Sequence, residues 1–188
     1  MSDHPFIVDT NVIVAGLLTA YDVSPVARIL DGMLAAAFSF VVSEALLAEY
    51  RTVRVRHGLT KLHGLSVADV ERLFVDIAQH AIALASGAAP PAPDAGDQLL
   101  WELLAARPDF LLVTGDVALL GDAGMRSRVV SPCDFIKGEW AARADGRWPL
   151  GAHLRRFDHL RPGEPPRVLR RLQLLRRWSH EEVKQVLT

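Results

Sequence analysis

Four acidic residues stand at positions where a carboxylate could take part in chemistry: Asp9, Glu49, Asp97 and Asp116. Asp9 interrupts the apolar stretch "FIVDTNVIVAGLL", and a buried carboxylate without a partner is costly. If the four side chains converge, they cannot all stay ionised unless their pKa values rise or cations bind between them. Oxygen ligands without His or Cys favour Mg²⁺ or Mn²⁺ over Zn²⁺. Because paired cations of this kind recur in phosphodiester hydrolysis, the four acids indicate a metal-dependent site.

Each of these acids also has a purely structural interpretation. Asp9 could cap a helix that follows the first strand, and Glu49 borders the apolar face of a helix, where Glu is commonly solvated. Asp97 lies near a helix start, where negative charge is favourable, and Asp116 lies in a turn after Gly115. Taken singly, these alternatives stay open for each residue.

Alternating apolar and amphipathic segments predict the strands and helices that must position the acids. Strands are predicted over residues 6–8, 38–42, 81–85, 110–113 and 129–130. Helices are predicted over 12–18, from 25 onward, over 44–57, from 66 onward, over 98–106 and from 132 onward. The alternation predicts an α/β fold with a central parallel sheet flanked by helices. Because ligands bind beyond the carboxyl ends of such strands, we expect Asp9, Ser43, Thr114 and Asp116 to meet at one edge of the sheet.

Charge divides the chain of 188 residues into two parts. Residues 1–137 carry 10 Lys+Arg and 16 Asp+Glu, whereas residues 138–188 carry 11 Lys+Arg and 6 Asp+Glu. We therefore predict a domain over 1–137 and a basic, helical C-terminal extension over 138–188. Apolar residues at helical spacing alternate with Arg pairs in the extension, which could pack on its own domain or on a second copy, or could contact RNA.

A single cysteine, Cys133, excludes an intrachain disulfide and favours a reducing compartment. The N-terminal apolar run lacks a preceding basic region, so a signal peptide is not expected. No window of about 18 uninterrupted apolar residues is present, so no membrane span is expected. These features predict a cytoplasmic protein.

Four segments, in this order and spacing, resemble the PIN-domain family: "FIVDTNVIVAGLL", "VVSEALLAEYRTV", "PDAGDQLLWELLAARPDFLLVTGDVALL" and "RVVSPCDFI". More narrowly, they are similar to the ribonuclease toxins of bacterial toxin–antitoxin pairs. The resemblance extends over about residues 5–136. It implies a PIN-like fold and a metal-dependent endoribonuclease that uses Mg²⁺ or Mn²⁺. It also implies a homodimer that is held inactive by a small antitoxin protein.

The resemblance assigns roles to individual residues. The acidic positions of the family fall on Asp9, Glu49, Asp97 and Asp116, and the polar positions that support them fall on Asn11, Ser43 and Thr114. We expect Asp9, Asp97 and Asp116 to hold the metal directly, and Glu49 to act on it through water or to orient the attacking water.

One position departs from the family pattern. Related sequences often carry a second acid directly after the third acidic position, where this chain has the amide Gln98. Asp94 lies nearby and could compensate for that acid or could merely cap the helix.

An acidic pocket that binds RNA needs basic residues around it. The candidates for phosphate contact are Arg51, Arg54 and Arg56, on or near the helix of Glu49, and Arg126 and Arg128, between the "TGD" turn and the last strand. Isolated surface arginines more commonly serve solubility, and that interpretation stays open.

Two further functions compete with the nuclease. One is a non-catalytic nucleic-acid-binding or scaffolding module with the same fold, which metal binding and RNA cleavage assays would distinguish. The other is a phosphatase-like or receiver-type domain, in which Asp9 or Asp116 would accept a phosphoryl group; no Lys partner near these acids supports it. The chain has no phosphate-binding glycine motif and no zinc-type spacing of its seven His residues.

Overall fold

The computed structural model describes residues 5–19, 21, 24–52 and 67–138. Within these ranges five short strands form one parallel sheet in the order β3-β2-β1-β4-β5. The strands are β1 (Phe6–Val8), β2 (Phe40–Val42), β3 (Ile82–Ala83), β4 (Leu111–Val113) and β5 (Val129–Val130). The parallel sheet and its flanking helices confirm the predicted α/β class. Apart from Gly138, the predicted extension over 138–188 lies outside the described residues.

Seven helices and one 3₁₀ turn are present in the same ranges. They are α1 (Thr10–Leu18), α2 (Pro25–Leu34), α3 (Glu44–Thr52), α4 (Val67–His80), the 3₁₀ turn Ala95–Asp97, α5 (Gln98–Ala106), α6 (Val117–Gly121) and α7 (Pro132–Lys137). Ser24 and Ser131 cap α2 and α7, each of which has Pro at its first position, where the missing N–H costs little. Among the helices described, none combines the length and the apolar character needed to cross a membrane.

Several element boundaries differ from those expected. Strand β3 spans Ile82–Ala83 rather than residues 81–85, and β4 begins at Leu111 rather than at residue 110. Helix α1 begins at Thr10 rather than at residue 12, because Asp9 acts as its N-cap. Strand β2 begins at Phe40 rather than at residue 38, because Phe38 leaves the sheet to join an aromatic cluster.

The aromatic cluster closes the amino edge of the sheet. The ring of Phe6, at the start of β1, meets Phe135 of α7 at a centroid distance of 4.8 Å and Phe38 at 6.0 Å, both edge to face. Phe38 and Phe135 are 5.1 Å apart. All three side chains are buried, so α7 is anchored to the core at the edge opposite the predicted site.

The connections that leave β1 and β4 run to opposite sides of the sheet. The chain passes from β1 through α1 and α2 to β2, whereas it passes from β4 through α6 to β5 on the other side. Val8 and Val113, the last residues of the two strands, are paired in register. The crevice beyond their carboxyl ends is therefore the topological switch point at which ligands of open parallel sheets bind.

Candidate active site at the carboxyl ends of β1 and β4

Asp9 leaves β1 directly into the switch point. Its backbone N–H donates to Val113 O at 2.9 Å, and the side chain is only 8% exposed. Oδ1 accepts from the backbone N–H of Asn11 at 3.3 Å, so the residue caps α1. Oδ2 accepts from Thr114 Oγ1 at 2.6 Å and from Asn11 Nδ2 at 2.8 Å. The carboxylate is therefore both a helix cap and a group with a fixed orientation.

Asn11 and Thr114 connect the ends of the two strands. Asn11 Nδ2 also donates to Thr114 Oγ1 at 3.1 Å, and Asn11 Oδ1 accepts from the backbone N–H of Gly115 at 3.1 Å. Thr114 is fully buried, and its hydroxyl oxygen accepts from the backbone N–H of Asp116 at 3.0 Å. One hydroxyl thus orients Asp9 and positions the peptide that carries Asp116.

Asp116 is the N-cap of α6. Its Oδ1 accepts from the backbone N–H groups of Ala118 at 2.7 Å and Leu119 at 3.3 Å. Oδ2 takes no part in those two bonds, so it remains available on the side chain for other contacts. The cap explains why the "TGD" turn ends the strand and starts a helix without a longer loop.

Asp97 approaches from a third connection, at the end of the 3₁₀ turn that leads into α5. Its carboxylate makes no capping hydrogen bond to α5. Burial raises the pKa of Asp97, and the negative charges of Asp9, Asp116 and Asp94 raise it further. Its charge therefore interacts with those of Asp9 and Asp116, and we call the region around these three carboxylates the acidic pocket.

Burial also raises the pKa of Asp9, and the charge of Asp116 adds to the rise. The hydrogen bonds from Thr114 and Asn11 oppose it, because they stabilise the ionised form. The charge of Asp116 thus disfavours ionisation of both Asp9 and Asp97, and the charge of Asp9 adds to the effect on Asp97.

Glu49 lies on α3 next to Tyr50, a residue that the sequence did not single out. Tyr50 is fully buried, and its hydroxyl donates a hydrogen bond to Val8 O. Burial, followed by the charges of Asp9 and Glu49, raises the pKa of Tyr50 well above its ordinary value. A tyrosine on the apolar face of a helix is typical of core packing, so only the sequence position next to Glu49 could have drawn attention to it.

The remaining polar candidates have local roles. Ser43 Oγ accepts from the backbone N–H of Leu46 at 3.1 Å and so caps α3, as its position after β2 predicts. Asp94 caps the 3₁₀ turn by accepting from the backbone N–H of Gly96 at 2.8 Å, while its charge still acts on Asp97. The capping alternative for Asp94 is therefore observed.

Gln98, at the position of the expected second acid, ties down the loop before it. Its Oε1 accepts from the backbone N–H of Ala92 at 2.8 Å, and its amide lies 3.5 Å from Glu102 Oε1. The Gln98 side chain therefore holds in place the Pro/Gly-rich segment that precedes Asp97.

Of the five arginines predicted to contact RNA, the structure describes Arg51, Arg126 and Arg128. Arg51 is exposed on α3 and lies 3.8 Å from Glu71, a surface ion pair of little energetic weight. Arg54 and Arg56 lie outside the described residues.

Arg126 and Arg128 precede β5 and so belong to the amino side of the sheet, away from the acids. Arg128 Nη2 donates to the carbonyls of Leu104 at 2.7 Å, Arg107 at 2.6 Å and Phe110 at 3.2 Å. These contacts hold the Arg128 guanidinium against the C-terminal end of α5.

The donor chemistry of the pocket fits a hard divalent cation. Asp9, Asp97 and Asp116 supply only oxygen atoms, and a bound cation would offset the cost of ionising Asp9 and Asp97, whose pKa values are raised. In the described part of the chain, however, no three His, Cys, Asp or Glu residues are already placed as the ligands of one ion. Mg²⁺ retains several waters and commonly takes one or two carboxylates, so a pre-formed cage is not required.

Comparison with known proteins gives one result for the family. The family profile of the PIN domain matches residues 5–118, which span β1 to the start of α6 and include all four acids. No curated protein sequence and no solved structure gave a match. PIN domains are usually metal-dependent nucleases, and their usual cations are Mg²⁺ and Mn²⁺. The match covers more than half of the chain, which therefore belongs to the PIN-domain family.

Proposed function

We propose that this protein is a metal-dependent endoribonuclease that hydrolyses RNA phosphodiester bonds at the switch point between β1 and β4. The observation that carries the proposal is the position of Asp9 and Asp116 just beyond the paired ends of β1 and β4, near enough to Asp97 for both charges to raise its pKa. The raised pKa values of Asp9 and Asp97 mean that ionising these two carboxyl groups costs free energy, which a purely structural role does not explain. A site that needs a cation gives a reason for this cost.

Asp9, Asp97 and Asp116 would hold Mg²⁺ or Mn²⁺, with Glu49 acting through water. When bound, the cation supplies Lewis-acid stabilisation of the charge that develops on the phosphate. Thr114 and Asn11 favour the ionised form of the Asp9 carboxylate and fix its direction, because both donate hydrogen bonds to Oδ2. Glu49 would orient the water that attacks phosphorus.

The direct test is cleavage of a labelled RNA by the full chain with Mg²⁺, with Mn²⁺ or with EDTA. We expect cleavage that requires the cation and is abolished in Asp9→Asn and in Asp116→Asn, both checked for folding by circular dichroism. A DNA of the same sequence distinguishes RNA specificity from general nuclease activity. Wild-type cleavage rates in both variants would overturn the proposal.

We further propose that the nuclease is the toxin of a toxin–antitoxin pair, that it acts in the cytoplasm as a homodimer and that a small antitoxin inhibits it. The support is the resemblance of four sequence segments to such toxins. Expression of the wild-type chain in a bacterial host should arrest growth, and Asp9→Asn should relieve the arrest. Sedimentation of the purified chain tests the homodimer. Unimpaired growth at high expression would contradict the toxin role.

The division at residue 137 is likewise a proposal, with a PIN domain over 1–137 and a basic extension over 138–188. It is supported by the change in charge balance and by Phe135, which buries α7 in the core just before the boundary. A chain truncated after Gly138 should remain folded. Loss of dimerisation on truncation would assign the extension to packing, whereas a salt-sensitive loss of RNA binding would assign it to RNA contact.

A second candidate function is a non-catalytic nucleic-acid-binding or scaffolding module. Two observations favour it: no pre-placed set of metal ligands among the described residues, and the use of Asp9 and Asp116 as helix caps. Calorimetric titration with Mn²⁺ separates the two candidates. A chain that binds RNA but neither binds Mn²⁺ nor cleaves would be the scaffold.

A further inference from the structure

Tyr50 makes an unusual contact for a core tyrosine. Its ring is fully buried and stacks on Phe74 of α4, with centroids 6.1 Å apart and planes inclined by 25°. Its hydroxyl reaches from α3 to the carbonyl of Val8, the last residue of β1. A buried hydroxyl must find a partner, and this partner lies one peptide before Asp9.

The peptide between Val8 and Asp9 is consequently held on both sides. In a trans peptide the N–H and the C=O point in opposite directions. The Asp9 N–H donates to Val113 O of β4 at 2.9 Å, and the Val8 carbonyl on the other side accepts from Tyr50. Rotation of this peptide, which would swing the Asp9 side chain out of the pocket, breaks at least one of the two bonds.

We infer that Tyr50 is a positioning residue of the active site, which fixes Asp9 by holding the Val8 carbonyl and links it to Glu49, its neighbour on α3. The catalytic part of this inference rests on the proposed nuclease function. Glu49 and Tyr50 are consecutive on α3, so the hydrogen bond of Tyr50 to β1 also holds the backbone that carries Glu49.

The chemistry of the hydroxyl suits the role. A tyrosine hydroxyl that faces a carbonyl oxygen can only donate, which gives the contact one stable arrangement.

The test compares Tyr50→Phe with Phe38→Leu in the full chain. Tyr50→Phe removes only the hydroxyl and keeps the ring that stacks on Phe74. Phe38→Leu weakens the aromatic cluster at the opposite edge and serves as the control for a general loss of stability. The readouts are amide hydrogen exchange of Asp9 relative to Leu112, calorimetric Mn²⁺ affinity, and RNA cleavage. The Leu112 N–H donates to Arg128 O at 2.8 Å and reports the intact sheet.

In Tyr50→Phe we expect Asp9 exchange to accelerate relative to Leu112, and Mn²⁺ affinity and kcat to fall by about 10-fold, as for other groups that orient a ligand. In Phe38→Leu the exchange ratio and the Mn²⁺ affinity should stay at wild-type values. Unchanged exchange and affinity in Tyr50→Phe would overturn the inference. If the wild-type chain neither binds Mn²⁺ nor cleaves RNA, the nuclease proposal and the catalytic part fail together, and the exchange ratio alone decides whether Tyr50 fixes Asp9.

Discussion

Replacement of Thr114 by Val isolates the hydroxyl that joins the two strand ends. Valine has nearly the same shape, but it removes the donor to Asp9 Oδ2 and the acceptor for the Asp116 N–H. A hydrogen bond to a charged group contributes about 1.5–3 kcal/mol to stability, and a neutral one about 0.5–1.5 kcal/mol. Since Thr114 is fully buried, water cannot easily replace its hydroxyl. We therefore expect Thr114→Val to lower the free energy of unfolding by about 2–4 kcal/mol.

Thr114→Ser is the matched control, because it keeps the hydroxyl and loses one buried methyl group, at a cost of about 1 kcal/mol. Both variants are measured by urea unfolding in the presence of EDTA, monitored by circular dichroism. Equal stability of the Val and Ser variants would refute the reasoning.

The pH dependence gives this prediction a second, independent check. The Thr114 hydrogen bond lowers the pKa of Asp9 against the rise caused by burial, so the Val variant should have a still higher Asp9 pKa than wild type. The stability deficit of the Val variant is therefore largest above the folded-state pKa of Asp9 and shrinks as pH falls through it. A deficit that does not change with pH would show that the bond to the carboxylate contributes little.

Three further predictions concern single residues. Their effects on the free energy of unfolding are measured by urea unfolding in EDTA. Asp97→Asn should stabilise the metal-free chain at neutral pH and abolish RNA cleavage. Burial and neighbouring charges raise the folded-state pKa of Asp97, so the wild-type chain loses stability as pH rises through that pKa. The stability gain of the variant should therefore vanish at acid pH. Gly16→Val should destabilise by about 1–3 kcal/mol, since a Cβ there would lie 2.9 Å from Val26 O between α1 and α2; wild-type stability would contradict that packing. Arg128→Met should cost about 3 kcal/mol or more, because several carbonyls lose a charged donor; a loss below 1 kcal/mol would contradict the role given to the guanidinium.

Much of the sheet could be predicted because fully buried parallel strands have a simple pattern. Short apolar runs such as "FIV" and "LLV", each followed by a polar residue, indicate both the strand and the edge at which it ends. The caps at Ser43 and Ser131 were equally accessible, since capping depends on residues only three apart.

Long-range contacts were not accessible in the same way. The bond between Thr114 and Asp9 spans 105 positions, and that between Tyr50 and Val8 spans 42. A sequence pattern gives the face of an element but not the partner of a single polar atom. For the same reason Arg128, adjacent in sequence to a predicted strand, could not be recognised as a residue that binds main-chain carbonyls at the amino edge.

Asp9 shows why competing interpretations of one residue can both hold. The sequence offered either a helix cap or a functional carboxylate, and the structure has a cap whose second oxygen is oriented by Asn11 and Thr114. A cap directs the start of α1 toward the pocket and at the same time holds the carboxylate there. Local structure and the candidate site therefore use the same atoms.

The central claim is that Asp9, Asp97 and Asp116 together bind a hard divalent cation, and anomalous diffraction from crystals soaked in Mn²⁺ tests it most directly. We predict an anomalous peak at the carboxyl ends of β1 and β4 within coordination distance of these side chains, and its loss in Asp9→Asn crystals. A wild-type crystal that shows no peak there, with the three carboxylates turned away from one another, would contradict the account.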